Sequence, residues 1–173
     1  MPRRNGRRIT NYRDIMKTNQ EVADAWAMGY SAKSGTMFTD GETIYSYGYH
    51  FPIAKKVNGY VLFNHTRYSV TTSKHQSHVR RAMRYSNVIP CRDINAHDNE
   101  RYTRCFVEGL LRKIPKCRKI EDRVYDVRRE LYDYGAYLSV MNEKEPKWYR
   151  DVRFALSNLR GKTLRVWCKN YKF

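Results

Sequence analysis

The sequence predicts an α+β fold: a small antiparallel sheet built from two hairpins, followed by a mostly helical second half. Two tight-turn signals, Asp40-Gly41 and Asn58-Gly59, fall within 20 residues of each other and separate segments of strand character. Downstream, Ile120, Val124, Val127, Leu131, Tyr134, Leu138 and Met141 recur at spacings of 4, 3, 4, 3, 4 and 3, which is a helical period. With 173 residues, 41% of them hydrophobic and 14% aromatic, the chain can bury a core in one domain.

The elements follow in order. Residues 1–9 read as a disordered basic arm, and residues 10–173 as a single α+β domain. Thr18-Asn19-Gln20-Glu21 fits a capping box, in which Thr18 caps the amide of Glu21 and the Glu21 carboxylate reaches back. A short helix is expected from Asn19 to Met28, stopped by Gly29. Met37–Thr39 and Glu42–Tyr47 form the first predicted hairpin, closed by a primed turn at Asp40-Gly41. Pro52–Val57 and Tyr60–Asn64 form the second, and Tyr68–Thr71 is a candidate fifth strand. Thr72 or Ser73 then caps a helix from Lys74 to about Ser86, with Gln76, Val79 and Met83 on one side and Lys74, Ser77, Arg80, Arg81 and Arg84 on the other. Pro90 ends this region, and Asp93–Asp98 reads as a loop.

In the second half, Tyr102, Cys105, Phe106, Gly109, Leu110 and Lys113 share one helical face up to Pro115. The seam from Ile120 to Met141 implies a helix of about 22 residues, lying across its own domain in preference to forming a dimeric coiled coil. Pro146 opens a last helix with an apolar stripe of Trp148, Val152, Ala155, Leu156 and Leu159, ended by Gly161. Leu164, Val166 and Cys168 alternate with Arg165, Trp167 and Lys169, which suggests a C-terminal edge strand.

Charge is the strongest compositional signal. The chain carries 34 Lys and Arg against 17 Asp and Glu, a net charge of +17. From Thr43 to Arg92 there are eight basic residues and no acidic one in 50 positions. Residues 120–145 are the only net acidic segment, with 7 acidic and 4 basic side chains. Single-sign surface favours an anionic partner, most simply a phosphate backbone. No uncharged apolar run approaches the about 20 residues that span a bilayer, so no membrane partner is expected. The basic N-terminus is not followed by an apolar stretch, so no secretory signal is expected and the cytoplasm is the expected location. Cys91, Cys105, Cys117 and Cys168 show no metal-knuckle spacing, and reduced thiols are expected.

Catalytic motifs are sparse. There is no GxGxxG, P-loop, HExxH, EF-hand loop or GxSxG, and no cofactor is expected. His75 and His78, three apart at a helix start, could face one ion with Cys91 or His97 completing a zinc site, but a local hydrogen bond explains His75 as well. Asp93, His97, Asp98 and Glu100 could hold Mg²⁺ for a nuclease, although acids at a helix start also serve capping and the helix dipole. The 15 tyrosines are more suggestive. Tyr45, Tyr47 and Tyr49 would project from one strand face, either stacking on unpaired bases or forming a core.

The Tyr47-Gly48 step, the run His50-Phe51-Pro52-Ile53-Ala54, the Asn58-Gly59 turn and the run Ser69-Val70-Thr71-Thr72-Ser73-Lys74-His75 resemble a segment of small proteins of bacteriophages and other mobile elements. The resemblance covers Tyr45–Ser77. It implies a phage-like source, in which small basic proteins commonly act on nucleic acid or on host machinery, and it carries no reaction. The expected function is therefore non-enzymatic, phosphate-led and largely sequence-independent binding of DNA or RNA. The expected contacts are Lys74, Arg80, Arg81 and Arg84, widened by Lys55, Lys56, the Arg3/Arg4/Arg7/Arg8 arm, Arg165, Lys169 and Lys172. The alternatives are a protein-binding inhibitor or host-takeover factor that grips an acidic surface of a host or phage protein, and a small metal-dependent nuclease using the Asp93–Glu100 loop.

Overall fold

A computed structural model describes residues 18–172; the expected basic arm, residues 1–9, lies outside the described residues. The fold is α+β, with six strands and six α-helices among the described residues. The strands are β1 (Ala32–Lys33), β2 (Met37–Thr39), β3 (Thr43–Ser46), β4 (Pro52–Val57), β5 (Tyr60–Asn64) and β6 (Val88–Cys91), and they lie in the sheet in that order. The pairs β1–β2, β2–β3 and β3–β4 are antiparallel, and β5–β6 is parallel. The helices are α1 (Asn19–Ala27), α2 (Val70–Ala82), α3 (Ala96–Leu111), α4 (Glu121–Met141), α5 (Lys147–Asn158) and α6 (Gly161–Asn170), with a 3-10 turn at Ile114–Lys116. Contacts gather in two compact units. The first takes the described residues up to Lys55 together with Arg67–Tyr85, and the second takes Lys56–Thr66 with the described residues from Ser86 onward.

In the first unit the local rules hold closely. The expected capping box forms, with Glu21 N donating to Thr18 Oγ1 at 3.2 Å and Thr18 N donating to Glu21 Oε2 at 3.0 Å. Helix α1 closes in a Schellman motif: Tyr30 N donates to Ala25 O and Gly29 N to Trp26 O, each at 2.9 Å. The first hairpin differs in its turn. Only Gly41 has a positive φ (103°), while Asp40 uses its carboxylate to accept from Glu42 N and Thr43 N at 2.9 and 2.7 Å. The second hairpin turn matches expectation, with Asn58 and Gly59 at φ 51° and 80°. The core of this unit is Val22, Ala25, Trp26, Met37, Ile44, Ile53, Ala54, Val79 and Met83, all buried, with the Trp26 indole donating to Glu42 O at 2.9 Å.

Three expectations in this region are corrected. Tyr68–Thr71 is not a strand: Ser69 caps α2 by accepting from Thr72 N at 3.0 Å, so the helix starts four residues before Lys74. Ser69 is as good a cap as Thr72 or Ser73, and its position leaves the two β-branched threonines inside the first turn. Tyr45, Tyr47 and Tyr49 do not share a strand face, because β3 ends at Ser46 and Tyr47 takes a left-handed φ of 61°. Two-residue β1 was not anticipated; it is too short to carry a period.

The second unit is built around α4, whose expected seam is real. Ile120, Val127, Leu131, Tyr134 and Leu138 are buried in one core cluster with Leu62, Val107, Leu110, Leu111, Ile114, Trp148, Val152, Leu156 and Leu164. Within it, Tyr134 stacks on Trp148 at 5.4 Å and meets Tyr149 edge-on at 5.6 Å, and the Tyr137 hydroxyl donates to Ile94 O at 3.0 Å.

The second unit also brings corrections. The C-terminal segment is helix α6, not an edge strand. Leu164 and Cys168 are buried one turn apart while Val166 is exposed, so the apparent alternation was a helical i, i+4 pair with an exposed apolar residue between. Strand β6 was hidden by Pro90, which is tolerated because β6 pairs on one side only. Helix α3 starts at Ala96, inside the expected loop, and buries a different face: Asn99, Thr103, Val107, Leu110 and Leu111, leaving Tyr102, Cys105 and Phe106 outward. Two of the buried positions are polar, which broke the apolar pattern. Asn99 Oδ1 accepts from Arg92 N at 2.8 Å and Asp93 N at 3.2 Å, tying α3 to the chain that enters it.

Candidate nucleic-acid interface

Helix α2 positions the expected contact residues. Its inward face is Thr72, His75, Gln76 and Val79, all buried like the capping Met83, and its outward face carries Lys74, Arg80 and Arg81, exposed like Arg84 just past the helix. Positions 74 and 81 are about two turns apart and so share a stripe, whereas α2 ends at Ala82, short of the expected Ser86, and leaves Arg84 in the turn that follows. Lys74, Arg81 and Arg84 make no ion pair among the described residues. Arg81 Nη1 lies 3.4 Å from Gln20 Oε1, and the Arg84 guanidinium rests 4.7 Å from the ring centre of Tyr85.

Exposed tyrosines bracket this stripe. Tyr68, 79% exposed, immediately precedes the cap of α2, and Tyr85, 88% exposed, follows the helix. The Tyr68 ring leans on Phe51 at 5.7 Å. On the sheet of the same unit, Tyr45 stacks on Phe38 at 4.9 Å and Tyr49 meets both rings edge-on at 5.1 and 4.8 Å, with Tyr49 itself 77% exposed. Ile44 and Ser46 face the core, and the tyrosines form an outer aromatic patch instead of a buried one.

Beneath α2, His75 is a satisfied interior histidine. Its Nδ1 lies 2.8 Å from Ser46 Oγ and its Nε2 3.2 Å from Thr36 Oγ1, and burial, followed by nearby His78, holds its imidazole below the ordinary value. Since Thr36 Oγ1 also donates to Asn19 Oδ1, the proton on His75 belongs on Nε2, with Ser46 donating to Nδ1. His78 turns away to Gln20, Nδ1 to Oε1 at 2.9 Å. Both nitrogens of His75 are therefore occupied, and among the described residues no three His, Cys, Asp or Glu side chains converge as a metal cage would.

The remaining expected contacts divide. Lys55 and Lys56 are half-buried on β4, and burial holds the Lys56 ammonium below its ordinary value. Lys169 and Lys172 are exposed. Arg165 is turned inward: its guanidinium donates to Ile114 O at 2.9 Å, Pro115 O at 3.1 Å and Arg118 O at 3.2 Å. On an alternating strand it would have pointed to solvent; on α6 it lies one turn from Lys169 and closes the 3-10 turn. Arg92, the last basic residue of the acid-free stretch, is also internal, in a bidentate pair with Glu130 and 3.5 Å from the ring centre of Phe106.

The acids proposed for nuclease chemistry are each engaged separately. Asp93 accepts from Asn95 N at 2.9 Å, and burial above all pushes its carboxyl up. Asp98 pairs with Arg101 at 3.1 Å, Glu100 accepts from the Trp148 indole at 3.0 Å, and His97 points outward, 3.7 Å from Asp98. The cap of α3 is Asn95, accepting from His97 N and Asp98 N. A cleft of about 440 Å³ between α4 and α5 has one acid in its lining, Glu145, and Arg153 occupies it at 2.8 Å.

The sequence reading missed one basic cluster. Arg112, Lys113, Lys116, Arg118 and Lys119 are all exposed around the 3-10 turn. The signal was present as five cations in eight residues, broken by Ile114, Pro115 and Cys117.

No protein-family model, curated protein or solved structure matches the chain.

Proposed function

We propose that the protein binds nucleic acid through its phosphate backbone, largely independently of sequence, with α2 as the leading contact element. The observation that carries this reading is the outward face of α2 and the turn after it, where Lys74, Arg80, Arg81 and Arg84 stand exposed in a 50-residue stretch without an acid, between the exposed rings of Tyr68 and Tyr85. Cations supply sequence-independent affinity, and exposed rings offer a stacking surface to unpaired bases. The reading requires no cofactor and no reaction. A bacteriophage or mobile-element setting, in the cytoplasm of a host cell, is proposed with it, on the resemblance over Tyr45–Ser77.

The test is a binding series with single- and double-stranded DNA and RNA at several salt concentrations, with and without Mg²⁺. Six to eight phosphate contacts give a slope of log affinity against log salt of about −4 to −7. A slope of about −1 or flatter would remove phosphate binding as the function and favour a protein partner with an acidic surface. Mg²⁺-dependent cleavage would instead favour the nuclease alternative.

A further inference from the structure

We propose that the turn 112–119, clamped by Arg165 and flanked by Lys162 and Lys169, is a second phosphate-backbone-binding surface, carried by the second unit and separate from α2; this rests on the nucleic-acid reading above. Five cations, Arg112, Lys113, Lys116, Arg118 and Lys119, stand exposed within eight residues. Only Arg112 is in an ion pair, with Glu108, among the described residues. Glu121 and Asp122 follow at the first turn of α4, where they serve the dipole of that helix.

A short turn so rich in like charge repels itself, so its shape needs a fixed support. Arg165 supplies it by donating to three carbonyls, of Ile114, Pro115 and Arg118. Buried Ile114 anchors the turn from below, and Cys117 N closes it onto Ile114 O at 3.2 Å. The clamp takes up carbonyl oxygens that would repel an anion and leaves the lysine and arginine heads outward. Lys162 and Lys169, three residues before and four after Arg165, lie on the same face of α6 and extend the surface. The turn itself lacks an exposed aromatic or large aliphatic anchor of the kind that centres a protein–protein interface, since Ile114 is buried and Pro115 and Cys117 are half-buried, and the exposed Val166 between Lys162 and Lys169 is a residue type seldom found as such an anchor. A line of mobile cations on a rigid turn suits a phosphate backbone better.

The experiment compares the parent, the α2 variant R80A/R81A/R84A and the turn variant K113A/K116A/R118A/K119A, using fluorescein-labelled single-stranded and duplex oligonucleotides in a salt series. The turn variant is expected to keep its circular dichroism spectrum and to lose about 3 from the magnitude of the salt slope. Its loss should add to that of the α2 variant. If the parent shows a steep slope and the turn variant shows the same one, the second surface is overturned while the nucleic-acid reading stands. If the parent shows no affinity, the nucleic-acid reading fails and this proposal with it. A parallel arm uses labelled polyglutamate; loss of that binding alone in the turn variant assigns the patch to an acidic protein and overturns the proposal. Arg165 is tested as a positioning residue by R165K and R165Q. As a clamp, both should raise amide exchange at 116–119 and flatten the slope alike, because a lysine cannot reach three carbonyls. As a direct phosphate contact, R165K would bind like the parent and overturn the clamp.

Discussion

At the scale of single residues, Arg92 and His75 show how a basic or titratable side chain can be structural. The Arg92–Glu130 pair is almost wholly buried, with Nη2 3.0 Å from Oε2 and Phe106 under the guanidinium. Removing one partner leaves a charge in the interior, so Glu130→Ala should cost roughly 3–5 kcal/mol, while replacing both partners with apolar residues should cost much less. Urea unfolding of the single and double variants checks this. An equal loss in the double variant would show that the pair itself, not the stranded charge, carries the stability. His75 gives a pH dependence. Its folded-state value lies below its ordinary one, first through burial and then through His78. The unfolded chain therefore takes up a proton at about pH 6.5 while the folded chain resists it. The stabilising contribution is complete above that pH and is lost as the pH falls through it. Melting temperature should drop between pH 7.5 and 5.5 in the parent and drop less in His75→Gln. Parallel declines would assign the effect to other groups.

At the scale of elements, α2 and α4 make opposite predictions because their faces differ. Lys74, Arg80 and Arg81 on α2 and Arg84 just after it are exposed, so R80A/R81A/R84A should fold with nearly the parent's stability, alanine being the best helix former at the two helical positions. It should nevertheless bind nucleic acid more weakly across all sequences, with the salt slope reduced in magnitude by up to about 3. Unchanged affinity would move the contact surface away from α2. Leu131 on α4 is buried in the core of the second unit, so Leu131→Ala should cost roughly 2–5 kcal/mol. Because the seam packs within its own unit, that loss should be independent of protein concentration. Sedimentation showing a parent dimer that this variant dissociates would overturn the intramolecular seam.

At the scale of the whole molecule, the chain carries a net charge of +17, and among the described residues four exposed cations stand on and just after α2 in the first unit and five on the turn 112–119 in the second. Not every cation belongs to the surface: Arg92 and Arg165 are spent inside the fold. No helix among the described residues is long and apolar enough to cross a membrane. If surface charge drives binding, affinity for DNA and RNA of equal length should differ little and fall together with salt. A strong preference for one duplex sequence at constant salt slope would require base-edge contacts that phosphate binding does not supply.

The sequence alone determined what nearest neighbours settle. The capping box at Thr18, the Asn58-Gly59 turn, the polarity of α2 and the buried seam of α4 each follow from spacing and local backbone chemistry, which act the same way before and after the chain folds. Tertiary structure decided what depends on partners far along the chain. Leu164 and Cys168 pack into a core only a helix can reach, so α6 replaced an expected strand. Asn99 is buried because the backbone of Arg92 and Asp93 needs its acceptor. Glu130 and three carbonyls, 38 and about 50 residues away, turned Arg92 and Arg165 from surface cations into internal ties. A side chain's charge is written in the sequence, but whether water or the protein interior solvates it depends on what the fold brings beside it.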